Sequence, residues 1–219
     1  MTEKLSHTLF EFGRIPIKVH FSYYIFTAVL ILCSFFFASS VKALLVVSII
    51  VSTFCAVLFH EIGHSLTAHF LKHKVQDIVI FPVGGIATIF LNRERHDDVI
   101  KIAFAGPATN LVIAGILLMI PYQWSYQAMY INLVLGIGNL LPVRSFDGGH
   151  ILHALVAKRL GFERADQILE KVTLLSVAVA VFGGLYFSSW LLFFVGLFIF
   201  VYGIATEDSE AEKLYDSKN

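Results

Sequence analysis

Three ionisable side chains, His60, Glu61 and His64, fall within five positions and spell His-Glu-x-x-His. On a helix, residues four apart share a face, so both imidazoles project the same way. That spacing suits two nitrogen ligands on one Zn²⁺. Glu61 lies one step round the same surface. From there it can take a proton from a zinc-activated water without being a ligand itself. The plainer reading is a helix end with polar residues at a membrane interface. Against it, Ala43 to Phe59 contains no charged residue, and ionisable groups at membrane depth are costly and usually functional.

Catalytic zinc takes three protein ligands plus water, so a third is required from elsewhere. Asp147 is the favoured candidate, in Asn139-Leu140-Leu141-Pro142-Val143-Arg144-Ser145-Phe146-Asp147-Gly148-Gly149. Pro142 breaks an apolar span, and Gly148-Gly149 gives the backbone freedom to turn an aspartate inward. Alternatively, Asp147 only caps the following helix. His150 and His153 are rival ligands, but two histidines and a carboxylate make a common catalytic zinc set. His20, His69 and His73 read as interfacial or structural. Asn110 and Asn139 sit at membrane level, where each can bond a neighbouring helix. Both are also candidate substrate contacts.

The chain has 219 residues, 57% hydrophobic and 15% charged. Soluble domains carry about 25% charged residues, so the composition reads as a polytopic α-helical membrane protein with one integrated domain over 1–219. Residues 1–9 read as a loose polar start. Phe10–His20 alternates as a short strand, with Pro16 confining it to an edge or a start. Spans are expected at 21–38, 43–71, 99–120, 126–141 continuing as a helix at 149–160, 172–187 and 190–204. The first is no signal peptide, because an apparent strand precedes it. Val75–Phe81 and Ile86–Phe90 flank Pro82-Val83-Gly84-Gly85 and read as a β-hairpin. It is too apolar for a solvated loop, so it is expected to associate with the membrane against the protein. Gly84, Gly85 and Ile86 are candidate substrate-binding positions.

With six spans and a cytoplasmic N-terminus, all but Lys42 of the sixteen Lys and Arg fall on or near the cytoplasmic side. This is a positive-inside signal. It puts both termini in the cytoplasm and the zinc motif nearer that face. Cys33 and Cys55 lie in apolar spans and give neither a disulfide framework nor a metal pair. The net charge is zero and no basic cluster stands out, which argues against a nucleic-acid partner.

His60-Glu61-Ile62-Gly63-His64, Pro82-Val83-Gly84-Gly85-Ile86-Ala87, Gly106-Pro107-Ala108-Thr109-Asn110 and Asn139-Leu140-Leu141-Pro142 with Asp147-Gly148-Gly149 resemble the site-2 proteases, which are intramembrane zinc metalloproteases. The resemblance covers essentially the whole chain and is closest to the small six-span group without a PDZ or CBS domain. It implies His60, His64 and Asp147 as ligands of one Zn²⁺ and Glu61 as catalytic base. It implies a membrane-tethered, single-pass protein as substrate and the lipid bilayer as surroundings. It sets no oligomeric state. Arg144-Ser145-Phe146 departs from the proline-rich apolar stretch common in relatives.

Two other functions are open to the same residues. A zinc transporter needs ligands strung along a path through several spans, and the remaining spans carry very few. A non-catalytic homologue that binds substrates is favoured by an altered glutamate, but Glu61 is present.

Overall fold

The structure is a computed structural model that describes residues 5–37, 40–82, 84–91, 93–188 and 196. The chain divides into two compact units, Met1–Gly138 and Asn139–Asn219.

The first unit carries four strands, β1 (Ser6–Phe12), β2 (Ile15–His20), β3 (Lys74–Phe81) and β4 (Gly84–Phe90), with α1 (Phe21–Phe37), α2 (Ser40–Phe70), α3 (His96–Leu118) and nearly all of α4 (Gln123–Asn139). The strands form one sheet in the order β1-β2-β3-β4. Two antiparallel hairpins are joined by a parallel pairing of Ile17, Lys18 and Val19 with Ile78, Val79 and Ile80. The alternation of β2 turns Ile17 and Val19 inward, and β3 does the same with Ile78 and Ile80. These four pack on Val57 and Leu58, the residues of α2 that lead into His60. Each such side chain contributes about 1.5–3 kcal/mol when buried. The sheet therefore fixes α2 immediately beside the zinc motif. Lys18 donates to Asp77 at 2.7 Å and ties β2 to β3 with a largely buried ion pair.

No glycine or proline stops α2. Lys72 takes a left-handed conformation at φ 64°, and the amides of Lys72 and His73 bond back to His69 and Ala68. This paired closure satisfies the last carbonyls of the helix. Just beyond it, Asp98 in the first turn of α3 meets His73 at 3.0 Å and Arg95 at 2.6 Å. A carboxylate at a helix N-terminus is also favoured by the helix dipole.

The second unit begins at Asn139, the last residue of α4, and contains α5 (Asp147–Leu160) and α6 (Phe162–Tyr186). Residues 140–146 make a tight turn in which Val143 bonds Leu141 and Phe146 bonds Val143. The amide of Arg144 donates to the Thr173 hydroxyl at 3.0 Å, pinning the turn to α6.

The N-terminal region differs from the sequence reading. Residues 6–9 are not loose; they belong to β1, and the expected single strand Phe10–His20 is the end of β1, a turn at 13–14 and the whole of β2. Nearly all of β1 is exposed, so no buried alternation marks it. Pro16 does sit near the start of β2, ahead of the three residues that pair with β3. The expected β3–β4 hairpin is present, and its second strand starts at Gly84.

Among the described residues, Lys42–Phe70, His96–Leu118 and Phe162–Tyr186 are long and apolar enough to cross a membrane, and Phe21–Phe36 is a shorter apolar helix. The expected span 172–187 is the second half of α6. Its first ten residues carry Glu163, Arg164, Asp166, Glu170 and Lys171, which hid them from a search for apolar runs. The helix at 149–160 starts earlier, at Asp147. The expected span 190–204 lies outside the described residues.

Candidate metal centre

His60, Glu61 and His64 all lie on α2, and all three are at least nine-tenths buried. The two imidazoles stand edge to face with centroids 4.7 Å apart. Their Nε2 atoms approach to 3.1 Å.

Each ring is held from behind. His64 Nδ1 lies 2.7 Å from the carbonyl oxygen of Ile102 on α3. A carbonyl only accepts, so His64 carries its proton on Nδ1. His60 Nδ1 lies 2.5 Å from Asn110 Oδ1, also on α3. Asn110 Nδ2 donates to the Ala56 carbonyl at 3.0 Å, which fixes the amide with its oxygen towards His60. His60 is therefore also a donor at Nδ1. Both Nε2 atoms therefore carry lone pairs, 3.1 Å apart, that can be offered to one cation. Bonds of about 2.0–2.1 Å at a tetrahedral angle put two nitrogens on zinc about 3.3 Å apart. The pair fits that group, and the carbonyl and amide behind it are the usual partners that orient ligand imidazoles.

Gly106 of α3 makes the space. A Cβ there would collide with the His64 ring and come within 2.8 Å of His60 Nε2. Gly85 of β4 does the same for the third member of the motif. A Cβ at that position would lie 2.6 Å from Glu61 Cγ and 2.9 Å from its Oε1. The strand backbone thus lies directly against the glutamate side chain.

Asn110 was a candidate substrate contact. It is wholly buried, and its bonds run to His60, Ala56 and Asn132, all within the protein. Its place here is behind the His60 imidazole. Gly84, Gly85 and Ile86 lie on β4, the last strand of the sheet, with Ile86 half exposed. Asn139 closes α4 and is partly buried.

In the second unit, Asp147 is the first residue of α5, and the N-cap is Phe146, whose side chain makes no capping bond. Asp147 is therefore the first helical residue rather than the N-cap. The turn that presents it is crowded by its own backbone. A Cβ at Gly148 would strike the carbonyls of Leu140 and Leu141, and one at Gly149 the carbonyl of Val143. Of its rivals, His150 is exposed and His153 bonds Asp166 at 3.0 Å.

Sequence reasoning missed Asn132, the backbone acceptor at Ile102 and the bracing hydroxyl of Thr173. Asn132 had a signal, a lone amide in an apolar helix. The other two had none, since a carbonyl and a helix-face threonine look alike at every position.

The profile of peptidase family M50 matches residues 48–126 and 122–182. Zinc metalloprotease MJ0392 of Methanocaldococcus jannaschii is 29% identical over 88% of this chain and 58% of that protein. Stage IV sporulation protein FB of Bacillus subtilis is 28% identical over 63% of this chain and 52% of that protein. The chain thus spans about half the length of these curated relatives. Among solved structures, the site-2 protease from Methanocaldococcus jannaschii superposes with a TM-score of 0.68 at 28% identity, over 91% of this chain and 94% of that one. The named metal of such relatives and the paired imidazoles agree on zinc as the cofactor. Sequence profile, fold and motif together place the chain in peptidase family M50, the site-2 proteases.

Proposed function

We propose that this chain is an intramembrane zinc endopeptidase that cuts a peptide bond within or near the transmembrane helix of a single-pass membrane protein. The observation that carries this reading is the pair of His60 and His64 Nε2 atoms, 3.1 Å apart, with both tautomers set from behind. In this reading Asp147 is the third ligand. Two imidazoles and one carboxylate are a catalytic ligand set for zinc. Zinc, when bound, activates a water and polarises the scissile carbonyl. Glu61 accepts a proton from that water on a carboxylate oxygen and delivers it to the nitrogen of the leaving amine. Its tight fit against Gly85 supports a carboxylate held in one place.

A helical substrate hides its peptide bonds, and unwinding it in hydrocarbon leaves amides unpaired at several kcal/mol each. New partners are needed. The outer edge of β4 is the element suited to receive an extended segment as an added strand. Its terminal place in the sheet supports this, as does the absence of charged residues from Gly84 to Phe90. The Asn139 side chain is suited to a substrate backbone near Asp147. The charge asymmetry supports six spans with both termini cytoplasmic and the site nearer that face, the whole chain serving as one protease domain.

The test compares membrane proteomes of cells carrying the native chain and Glu61→Gln. Membrane-protein fragments present with the first should vanish with the second. Identical fragment sets, with both proteins expressed equally, would overturn the reading.

A further inference from the structure

We propose that Asn132, on α4, is a positioning residue for His60, acting through Asn110. The inference rests on His60 being a metal ligand. Asn132 is 4% exposed and sits in an otherwise apolar stretch, Tyr130-Ile131-Asn132-Leu133-Val134. Its Nδ2 donates to the Ala128 carbonyl at 2.8 Å. That bond fixes which end of the amide is which, because the carbonyl can only accept. Asn132 Oδ1 is thereby turned to Asn110, whose Nδ2 donates to it at 2.9 Å.

The bonds form a directed chain. It starts at a backbone carbonyl of α4, passes through two amides and ends at the Nδ1 proton of His60. Reversing Asn110 would set its oxygen against two acceptors, Ala56 O and Asn132 Oδ1. It would also offer an N–H to His60 Nδ1, moving the ring proton to Nε2 and removing the ligand lone pair. Asn132 supplies one of the two acceptors that forbid this reversal. Gly136 makes the reach possible. It lies one turn further along the same face of α4, and a Cβ there would come within 3.1 Å of Leu111 Cγ and of the Pro107 carbonyl. These residues flank Asn110, so the close approach of α4 to α3 is centred on the amide pair.

The experiment uses the full chain in detergent. Zinc affinity is measured by competition with a chelator, and the protonated nitrogen of His60 is read in the metal-free protein from ¹⁵N-labelled histidine spectra. Asn132→Leu keeps the branched heavy-atom skeleton and removes the acceptor. Zinc dissociation should rise about 10- to 100-fold, the usual effect of losing a partner behind a ligand, and part of the Nδ1–H signal should move to Nε2–H. Asn132→Asp still offers an oxygen to Asn110 in either protonation state, so it should keep the wild-type ring signal and lie within about threefold in affinity, far inside that range. Unchanged affinity in Asn132→Leu would overturn the proposal. So would weaker affinity with an unchanged His60 tautomer, which would mean general loosening. If Asn132→Leu does not fold, the wild-type ring and Asn132→Asp carry the test, and an Nε2–H ring in the wild type refutes it. Failure of the metal reading itself is separate, for it would show as full zinc binding by His60→Ala.

Discussion

On α2, two imidazoles are held by what lies behind them, a carbonyl for His64 and an amide chain for His60. At 140–149 the backbone does the holding, since glycines pass where any Cβ would strike a carbonyl and a threonine hydroxyl anchors the Arg144 amide. A helix presents its side chains in a fixed direction but leaves each ring free to choose a rotamer and a tautomer, so it needs partners for the rings. A turn has no inherent direction for its side chains, so it needs its path fixed instead. Damage to the first region should therefore appear in metal binding with the fold intact, and damage to the second in folding.

The harshest test of this contrast is Gly149→Val. The added atoms meet the Val143 carbonyl and lie 3.0 Å from the Arg144 Cα, neither of which is a flexible tip. A stability loss of about 3 kcal/mol or more is expected, at the upper end for overpacking, read as earlier unfolding in a denaturant titration. Gly106→Ala should behave in the opposite way. Its methyl displaces the His64 ring, so zinc affinity should drop at least about tenfold, as for disturbed ligand orientation, while the unfolding midpoint moves little. An equal loss of stability in both variants would erase the distinction. The mildest test is Thr173→Val, which removes the hydroxyl that accepts from Arg144 at nearly constant volume. About 1 kcal/mol of stability should be lost, with zinc affinity near wild type.

The parts that were legible in the sequence follow from chemistry with a fixed spacing. Two ligands on one helix face must be three or four residues apart, so His60 and His64 announced themselves. Pro142 and Gly148-Gly149 marked a break that the turn at 140–146 fulfils. The β3–β4 hairpin was visible because apolar runs flanked a proline and two glycines. What was hidden is contact between segments distant in the chain. The parallel register of β2 with β3 joins residues about sixty apart. The bond of His60 to Asn110 and that of Asn110 to Asn132 each join different helices. No local pattern encodes either one. β1 was hidden for another reason: it pairs through its backbone while its side chains stay exposed, so binary patterning is silent.

In the proposed mechanism His60 and His64 bind zinc while Glu61 moves protons without binding it. X-ray absorption at the zinc edge tests this most directly when wild type and Glu61→Gln are loaded equally and assayed for cleavage on the same samples. Two imidazole nitrogens are expected at about 2.0–2.1 Å in both proteins, with cleavage lost in the variant by at least about a hundredfold, the scale of general-base catalysis. A changed coordination shell in Glu61→Gln, or cleavage at the wild-type rate, would contradict it.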